Sequence, residues 1–515
     1  MAQGVKAHKP LFFDTECSCG RVGPGTLLAS LPLLCLMEAR KSPEDVITGL
    51  GFGMAQLRVL VLAAGIWLAD GVEIALVTAV SRVTAVEFNL DDELKSLLTT
   101  LAFSGLAVGC LVGGWAGDNF GRRPPILVAY GGVIACSFVT VFAGNYLALV
   151  LLRLGVGFSM GLGMAPSQAM ISELTPVKWR MAMVGLRGTL FTTGNVYAYL
   201  LFVANDSSLR QLDWRWCFGW GAAPMVVIGI AAACFLHESP LYLACVGKDA
   251  QAAEIFDSMR RLNNCPAASI EYEKISEKVS RNAVAKWTPS IRAQIGLILG
   301  PFFRGPTVAL MFSSVIANLW VYGHAYGEPL LLSNEDRNGV GFSAAGQMLF
   351  ESIFAYIGCG AVFVVSWVLS RRNLLIACFL PMSVCFATFA FSVSQPHETW
   401  LLQVAFQLSA VSIRLFAKAN FLAVHQVSSE IYPTIVVATG ASLTIGMGRL
   451  GAMLAPMLFE WCNFLFSSLT AFYYITALLG LLVMVAILLL MPSSLESLKE
   501  QAEEEAFAAV PLKDP

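Results

Sequence analysis

Charged residues are scarce in this chain. Only 13% of its 515 residues are Asp, Glu, Lys or Arg, whereas an ordinary soluble domain carries roughly 25%. A chain this long with so little charge cannot cover a water-facing surface of its own size. A soluble enzyme, a nucleic-acid-binding protein and a disordered scaffold are therefore disfavoured. The net charge of -2 gives no global field that would attract a polyanionic partner.

Cysteine-based and nucleotide-based sites are also missing from the sequence pattern. The thirteen cysteines show no metal-ligand spacing, and most lie in apolar runs, where cysteine behaves as a small hydrophobic residue. No nucleotide-binding loop or catalytic constellation occurs in the sequence. We therefore expect no cofactor, no metal site and no enzyme activity.

Long apolar runs are what the chain has in place of charge. Hydrophobic residues make up 57% of it, and a helix needs roughly 20 apolar residues to cross a bilayer. The runs are continuous rather than alternating, which indicates helices and not barrel strands. The sequence predicts an all-α membrane protein with twelve transmembrane helices. The predicted spans are 57–80, 97–116, 125–143, 146–171, 184–204, 216–236, 307–326, 346–368, 373–393, 399–424, 434–455 and 469–490.

The charges in the loops predict the orientation of these spans. Basic residues concentrate in the segment 237–296 and in the loops that follow even-numbered spans. The positive-inside rule places such loops, and with them both termini, in the cytoplasm. The predicted domains are a cytoplasmic N-terminal tail (1–56), a six-helix lobe (57–236), a cytoplasmic linker with short helices (237–306), a second six-helix lobe (307–490) and a cytoplasmic acidic tail (491–515).

The two halves of the chain repeat a short signature. The segment 172–176, SELTP, follows the fourth predicted span, and the segment 429–433, SEIYP, follows the tenth. Two six-helix halves in parallel orientation are typical of a transporter whose lobes rock about a site near the middle of the membrane.

Several motifs resemble the major facilitator superfamily. The segment Gly117–Arg123, GDNFGRR, is similar to that superfamily's loop signature after the second helix. Arg153, the glycines that follow it, Glu173 and Arg180 resemble the fourth-helix signature of sugar porters and organic-ion transporters. The segment Asp70–Glu73 is similar to the branch of synaptic-vesicle-protein-like and organic-ion transporters. The resemblance implies two pseudo-symmetric six-helix bundles and transport by alternating access.

Charged residues inside the predicted spans are candidates for the transport chemistry, because each costs several kcal/mol in hydrocarbon without a partner or a role. Asp70 in the first span and Arg153 in the fourth both lie roughly 10 Å from the outer face, so the two can form an ion pair. In proton-coupled sugar porters, by resemblance, the residues at these positions form the coupling pair. Glu73 shares a helical face with Asp70. We predict Asp70, Glu73 and Arg153 as proton-coupling residues; a static buried pair is the alternative.

Basic residues predominate at the centre of the second lobe. Arg414 and Arg449 lie mid-span, whereas Arg187 and Glu351 lie near span ends and are expected to be interfacial. Lys418 shares a helical face with Arg414 but lies closer to the cytoplasm, and its amine is expected to reach toward it. If the predicted coupling pair is neutral, the cavity is left basic on this side, which favours an organic anion or zwitterion as substrate. The alternative is that the two central arginines pair with carbonyls or with Glu73. The predicted substrate-binding residues are Asn195, Asn318, Tyr322, Arg414 and Arg449.

Loop charges predict two unequal latches on the cytoplasmic side. By resemblance, Asp118 faces the start of the eleventh helix. In the second copy, Trp367 and Val437 stand where an acid and a base are usual, so the second latch is expected to be weaker. Asp118→Asn should then favour the inward-open state more than a substitution at Trp367. The predicted gate residues are Asp118, Arg122, Arg123, Glu173, Arg180, Arg371, Arg372 and Glu430.

These patterns predict a secondary active transporter of a small organic ion, coupled to protons. The expected partners are a small-molecule substrate, a proton as co-substrate and the lipid bilayer, without nucleic acid. We expect a monomer in the plasma membrane or an intracellular vesicle membrane. Two alternatives stay open. The substrate can instead be a sugar or an organic cation. The degenerate second signature and the long charged linker also suit a non-transporting receptor or vesicle-membrane scaffold of the same fold.

Overall fold

The fold is built from helices. A computed structural model describes residues 42–272, 291–333, 343–365, 368–395, 399–432 and 437–492. In these ranges, ten helices are long and apolar enough to cross a membrane by length and composition. Two further long helices, Arg180–Asn205 and Val437–Phe466, occupy the fifth and eleventh predicted positions. The predicted all-α fold with twelve long helices is confirmed.

We number the spans from one to twelve in chain order. Span six is formed by two consecutive helices, Trp214–Gly221 and Ala223–Phe235. Short helices at Pro43–Leu50, Pro240–Cys245 and Asp249–Leu262 lie outside the spans. The spans are Met54–Glu87, Asp92–Phe120, Arg123–Thr140, Tyr146–Glu173, Arg180–Asn205, Trp214–Phe235, Arg304–Ser333, Ala344–Val365, Arg371–Ser394, Trp400–Glu430, Val437–Phe466 and Ala471–Leu490.

Helix packing repeats between the two halves of the chain. Spans two and four, three and four, and one and five pack together in the first half. The equivalent pairs in the second half, eight and ten, nine and ten, and seven and eleven, pack in the same way. Buried apolar side chains form two clusters, one drawn mostly from spans one to six and the other mostly from spans seven to twelve. The two lobes meet where span one contacts seven, two contacts eleven, and five contacts eight.

The linker is attached to the first lobe by hydrogen bonds. Asn263 Oδ1 accepts from the backbone N–H of Ala55 at 2.9 Å, and Asn263 Nδ2 donates to Gln56 Oε1 at 3.0 Å. Gln56 in turn donates to the carbonyl of Leu174 at 3.1 Å, at the end of span four. We call this end of the bundle the linker side and the opposite end the distal side.

Several observed helices extend beyond the apolar runs that predicted them. The predicted limits 57 and 307 fall inside helices that begin at Met54 and Arg304. Span seven continues to Ser333 instead of stopping at 326, and span eleven continues to Phe466 instead of 455. Hydropathy falls at polar residues, but neighbouring helices bury those residues and the helices continue through them. Acidic residues in the added turns therefore lie deeper than the sequence indicated.

Spans two and four approach each other closely enough for backbone atoms to touch. A Cβ added at Gly109 would lie 2.1 Å from the carbonyl oxygen of Phe158, well inside van der Waals contact. Small residues permit such close helix packing within a membrane. Gly114, on the same helix, has nothing within 4 Å of an added Cβ.

Gly109→Ala is therefore expected to lower stability by about 1–3 kcal/mol, because overpacking against backbone cannot relax by a side-chain rotation. Gly114→Ala is the matched control and should be neutral or slightly stabilising, since alanine favours helix by up to about 1 kcal/mol over glycine. Thermal unfolding midpoints of the purified proteins would measure both effects. Equal loss of stability in the two variants would contradict this account of the interface.

Candidate transport site

A central cavity lies where the two lobes meet. It consists of two adjoining hollows that share Phe191, Val321 and Lys418 as lining residues. The lining of the first hollow includes Asp70 and Arg187, and the lining of the second includes Asn195 and Arg414. Spans one, five, seven, eight and ten provide the walls. The charged and polar lining residues are Asp70, Thr192, Asn195, Arg187, Tyr199, Tyr322, His324, Ser352, Arg414 and Lys418.

The predicted substrate-binding residues fall into two groups. Asn195, Tyr322 and Arg414 line the cavity, and Arg449 donates from Nη1 to the Tyr322 hydroxyl at 3.0 Å. Asn318 instead donates to the carbonyl of Ser314 at 2.8 Å, on its own helix, and lies against span eleven. The structure thus places Asn318 in helix packing and not among the residues that line this cavity.

Asp70 faces cations of the opposite lobe. Its side chain is almost fully buried, at 1% exposure, and the basic groups that act on it are Arg449 and Lys418. Its Oδ1 has no hydrogen-bond partner within the described ranges. The ion pair expected between Asp70 and Arg153 is not the one that forms. Depth along the helix agreed for that pair, but Asp70 points toward the second lobe.

Arg153 pairs with Glu73 instead. Arg153 Nη1 donates to Glu73 Oε2 at 2.7 Å, and the guanidinium also donates to the Thr140 hydroxyl. The guanidinium carbon of Arg153 lies 4.2 Å from the ring centre of Phe218. Ser137 donates to the other carboxylate oxygen of Glu73 at 3.3 Å. These groups all belong to the first lobe. A motion that moves the lobes as rigid bodies leaves this pair intact.

Two basic residues were expected nearer the membrane surface than they lie. Arg187 is 4% exposed, donates to Gln168 Oε1 at 2.7 Å, and lies 4.2 Å from the ring centre of Trp67. Lys418, expected to reach toward the cytoplasm, lines the cavity with its Nζ 3.3 Å from the ring centre of Phe191. Span five begins four residues before its predicted apolar run, which brings Arg187 deeper. Within the described ranges neither cation forms an ion pair with a carboxylate.

Arg414 is surrounded by acids that the sequence did not assign to it. Its Nη2 donates to Glu328 Oε2, and its Nε lies 3.6 Å from Glu351 Oε2. Glu351 is 1% exposed, so its predicted interfacial position is wrong. Glu328 lay beyond the predicted end of span seven and was missed; its spacing of four residues from His324 was the available signal. The second lobe is therefore less basic around Arg414 than expected, since acids surround that arginine.

The first linker-side latch is centred on Arg122. Its guanidinium donates to Glu173 Oε1 at 2.9 and 3.2 Å and to Asp118 Oδ1 at 3.1 Å, while Glu238 accepts from its backbone N–H at 2.8 Å. Burial opposes the charge of Arg122, but the hydrogen bond and charge of Glu173 outweigh it and raise the pKa of Arg122. Glu238, which was not predicted as a gate residue, thus joins the linker to this latch.

The other predicted gate residues of the first lobe bind carbonyl oxygens. Arg180 donates to the carbonyls of Ser172 and Thr175 at 3.1 and 3.3 Å, and Arg123 donates to the carbonyl of Ala233 at 3.0 Å. These bonds satisfy helix ends rather than closing a charge cluster, so Arg180 is not part of the predicted ion-pair latch.

The second latch consists of an ion pair between Arg371 and Glu430. Gln426 donates to the same carboxylate at 3.2 Å, and Arg372 donates to the carbonyl of Leu488 at 2.8 Å. Two predictions about the latches lie outside the described residues. One is the difference at Trp367 and at the side chain of Val437, and the other is the contact of Asp118 with the start of span eleven.

An ion pair joins the two lobes on the distal side. Lys95 Nζ, on span two, lies 2.7 Å from Glu460 Oε1, on span eleven, and the Tyr326 hydroxyl donates to the same oxygen at 2.5 Å. Nearby, the backbone N–H of Ala345, at the start of span eight, donates to the carbonyl of Ser207, in the loop after span five, at 3.0 Å. The distal ends of the lobes are therefore in contact. Sequence reasoning missed Glu460 because it lies past the predicted end of span eleven.

Comparison with known proteins identifies the family. A family model described as "Sugar (and other) transporter" matches residues 68–505. The chain belongs to this family. It is 25% identical over 438 residues to the synaptic vesicle 2-related protein of Rattus norvegicus, which covers 81% of this chain and 74% of that protein. It is also 25% identical over 459 residues to organic cation/carnitine transporter 7 of Arabidopsis thaliana, which covers 82% and 88%.

The fold is similar to solved structures of a bacterial member of the superfamily. The partially occluded inward-open conformation of the xylose transporter XylE from E. coli matches with a TM-score of 0.64 and 18% identity, over 85% of this chain and 99% of that one. The proton:xylose symporter XylE bound to 6-bromo-6-deoxy-D-glucose matches with a TM-score of 0.66 and 18% identity, over 86% and 99%. The predicted major facilitator superfamily is confirmed. The chain is a multi-pass integral membrane protein that transports a small molecule by alternating access, and it is not an enzyme.

In a transporter of this family, the distal ion pair between Lys95 and Glu460 is expected to hold the distal side closed. Glu460→Gln removes a charged hydrogen bond worth about 1.5–3 kcal/mol. A loss of this size shifts the ratio of closed to open forms by roughly 10- to 150-fold. A Phe103→Cys substitution places a probe on span two, at the central contact between the lobes. Its rate of labelling by a membrane-impermeant maleimide should rise as the open form becomes more populated.

The matched control for this labelling experiment is Glu87→Gln. Glu87 pairs with Arg215 at 3.1 Å on the same distal side, but both residues belong to the first lobe. This control should leave the labelling rate unchanged. Equal acceleration by the two variants would show that general loosening, and not opening between the lobes, exposes the probe.

Proposed function

We propose that the chain is a proton-coupled transporter of a small organic anion. The observation that supports this substrate class is the charge around the first hollow of the cavity, where Arg187, Lys418 and Arg449 face a single carboxylate, Asp70. An anion in this hollow would offset the excess positive charge. The rings of Trp67, Phe191, Tyr322 and Phe421 line the same hollow and suit an apolar or aromatic body.

Proton coupling is proposed to reside on Asp70 rather than on the pair that contains Arg153. Asp70 belongs to the first lobe, whereas Arg449 and Lys418, the cations that act on it, belong to the second. A carboxyl group beside a cation holds its proton weakly, and the same group in a desolvated site without the cation holds it strongly. Rocking of the lobes changes this neighbourhood and would therefore load and release a proton.

We further propose a vesicle or plasma membrane as the location, with the linker side in the cytoplasm. The name of the synaptic vesicle 2-related protein supports the vesicle, and the concentration of basic residues in the linker supports the orientation.

A sugar is the second candidate substrate. The family model and the xylose-transporting neighbours favour it, and Asn195 and Tyr322 offer the cavity hydrogen-bonding groups suited to hydroxyls. Whether organic carboxylates or sugars bind the purified protein decides between these two candidate substrates.

Thermal unfolding of the purified protein in the presence of organic carboxylates, sugars and quaternary amines tests the proposal. A ligand at 100 times its Kd stabilises the folded state by about 2.7 kcal/mol. We expect carboxylates to stabilise the wild type and Lys418→Gln to weaken that effect at least tenfold in apparent Kd. Lys248→Gln, an exposed cation of the linker, is the matched control. Stabilisation by sugars or quaternary amines, with no effect of carboxylates, would reject an anionic substrate.

A further inference from the structure

The second lobe contains two buried carboxylates that share one arginine. Glu328 on span seven and Glu351 on span eight have side chains that are 2% and 1% exposed. Arg414 on span ten contacts both, since it donates to Glu328 Oε2 and lies 3.6 Å from Glu351 Oε2. A carboxylate oxygen of Glu328 lies within 4.8 Å of a carboxylate oxygen of Glu351. Two like charges this close together in a buried site disfavour each other, which favours a proton on one of the two carboxyl groups.

Unpartnered atoms point into this cluster. Glu328 Oε1, Glu351 Oε2, His324 Nε2 and Arg414 Nε are buried without a hydrogen-bond partner among the described residues. His324 Nε2 lies 3.8 Å from Glu328 Oε2. Native proteins normally satisfy buried polar atoms of this kind, so these atoms are available to hold a further proton, water or ion.

The groups named around the two carboxylates come from spans five, seven, eight, ten and twelve. Span seven supplies His324, whose Nδ1 lies 3.3 Å from the Tyr473 hydroxyl of span twelve. Span eight supplies Gln347, which donates to Glu351 Oε1 at 2.7 Å. Span ten supplies Arg414, and span five supplies Tyr199, whose ring centre lies 5.6 Å from the guanidinium carbon. Arg414 is thus the fixed cation in direct contact with two acids.

The ligand that these surroundings favour is a proton and not a metal ion. His324, Glu328 and Glu351 each offer a ligand atom, all within 4.8 Å of one another, so their spacing alone would allow a metal. The guanidinium of Arg414 already occupies Glu328 Oε2, and it would repel a divalent cation at the same carboxylate. One proton leaves the two acids with a single negative charge, which Arg414 balances.

We propose that Glu328 and Glu351 together bind one proton and form a second proton site of the transporter, separate from Asp70. Arg414 and His324 line the second hollow of the cavity, so the site adjoins the substrate path. An anion that draws Arg414 toward the cavity would leave the two carboxylates without their cation and strengthen their hold on the proton. This role in coupling rests on the proposed function, whereas the proton can be detected without transport.

Infrared spectroscopy of the purified full-length protein tests the site, because a protonated buried carboxyl gives a C=O stretch that a carboxylate does not. The experiment uses the Asp70→Asn background, which removes the other candidate acid. We expect one such band near neutral pH, shifted by deuterium exchange, and lost in both Glu328→Gln and Glu351→Gln. Glu460→Gln should keep the band, because Glu460 is paired with Lys95. Thermal unfolding checks that each variant folds.

The outcomes separate this inference from the proposed function. Absence of the band in the background protein overturns the inference, whatever the variants do. A band that persists in either glutamine variant that folds also overturns it. Calorimetric binding of Zn²⁺ or Mn²⁺ that is lost in His324→Ala would identify a metal site instead. A band that behaves as expected, together with uptake that ignores a pH gradient, would support this site while rejecting the proposed proton coupling.

Discussion

Asp70→Asn is expected to abolish uphill, pH-driven uptake into proteoliposomes while leaving downhill exchange of substrate measurable. A gradient of one pH unit supplies about 1.4 kcal/mol for each proton, which corresponds to about tenfold accumulation. The wild type should therefore approach an accumulation ratio of about ten for each coupled proton, and the variant a ratio of about one. Asparagine keeps the size and hydrogen-bonding capacity of the side chain but cannot exchange a proton.

Glu87→Gln is the control for this uptake experiment. Glu87 lies on the same span as Asp70, is partly exposed and binds Arg215 and Trp214. It should accumulate substrate as the wild type does. Retention of tenfold accumulation by Asp70→Asn would remove Asp70 from the coupling mechanism and leave the Glu328–Glu351 site as the remaining proposed proton carrier.

Arg153→Met is expected to destabilise the first lobe by about 3–5 kcal/mol, because it leaves Glu73 as an uncompensated buried charge. Arg153 is fully buried, so water cannot replace the guanidinium. Replacing both members of a buried pair by apolar residues is often neutral. The double variant Glu73→Leu with Arg153→Met should therefore recover most of the lost stability, measured as the thermal unfolding midpoint.

The same double variant separates a structural role from a coupling role. If the Glu73–Arg153 pair only stabilises the first lobe, the recovered protein should still show pH-driven uptake, since Asp70 and its cations are unchanged. Recovery of stability without recovery of coupling would assign the pair to the proton path. A single Arg153→Met variant as stable as the wild type would contradict the energetic account itself.

The sequence predicted the helices better than the partners of their charges. Continuous apolar runs locate twelve helices because burial in lipid demands them, and the repeated signatures locate the two lobes. Depth along a helix follows from counting residues, and by depth Asp70 and Arg153 match. The direction in which a side chain points around the helix axis also matters, and it depends on packing that counting does not supply. Glu73, three residues along, is the side chain that reaches Arg153.

The ends of the helices were the other limit. An apolar run stops at the first polar residues, so Glu328 and Glu460 fall outside the predicted spans 307–326 and 434–455. In the folded protein, those residues are 1% and 5% exposed, because neighbouring helices cover them and Arg414 and Lys95 pair with them. Polar residues that find partners in another span allow a helix to continue where hydropathy alone predicts its end. The same effect explains why Arg187 and Glu351 lie deeper than expected.

The backbone contact between spans two and four has a mechanical consequence. Helices in backbone contact at Gly109 and Phe158 cannot slide or rotate past each other without a steric clash. The first lobe therefore moves as a rigid body. The cavity wall that carries Asp70 lies at the axis of this motion, and the helices extend from it toward both ends of the bundle. Asn263 attaches the linker to the first lobe, so the linker moves with that lobe. A small displacement of the cavity wall by a bound substrate therefore becomes a larger displacement at both ends of the transport pathway, where one end opens as the other closes.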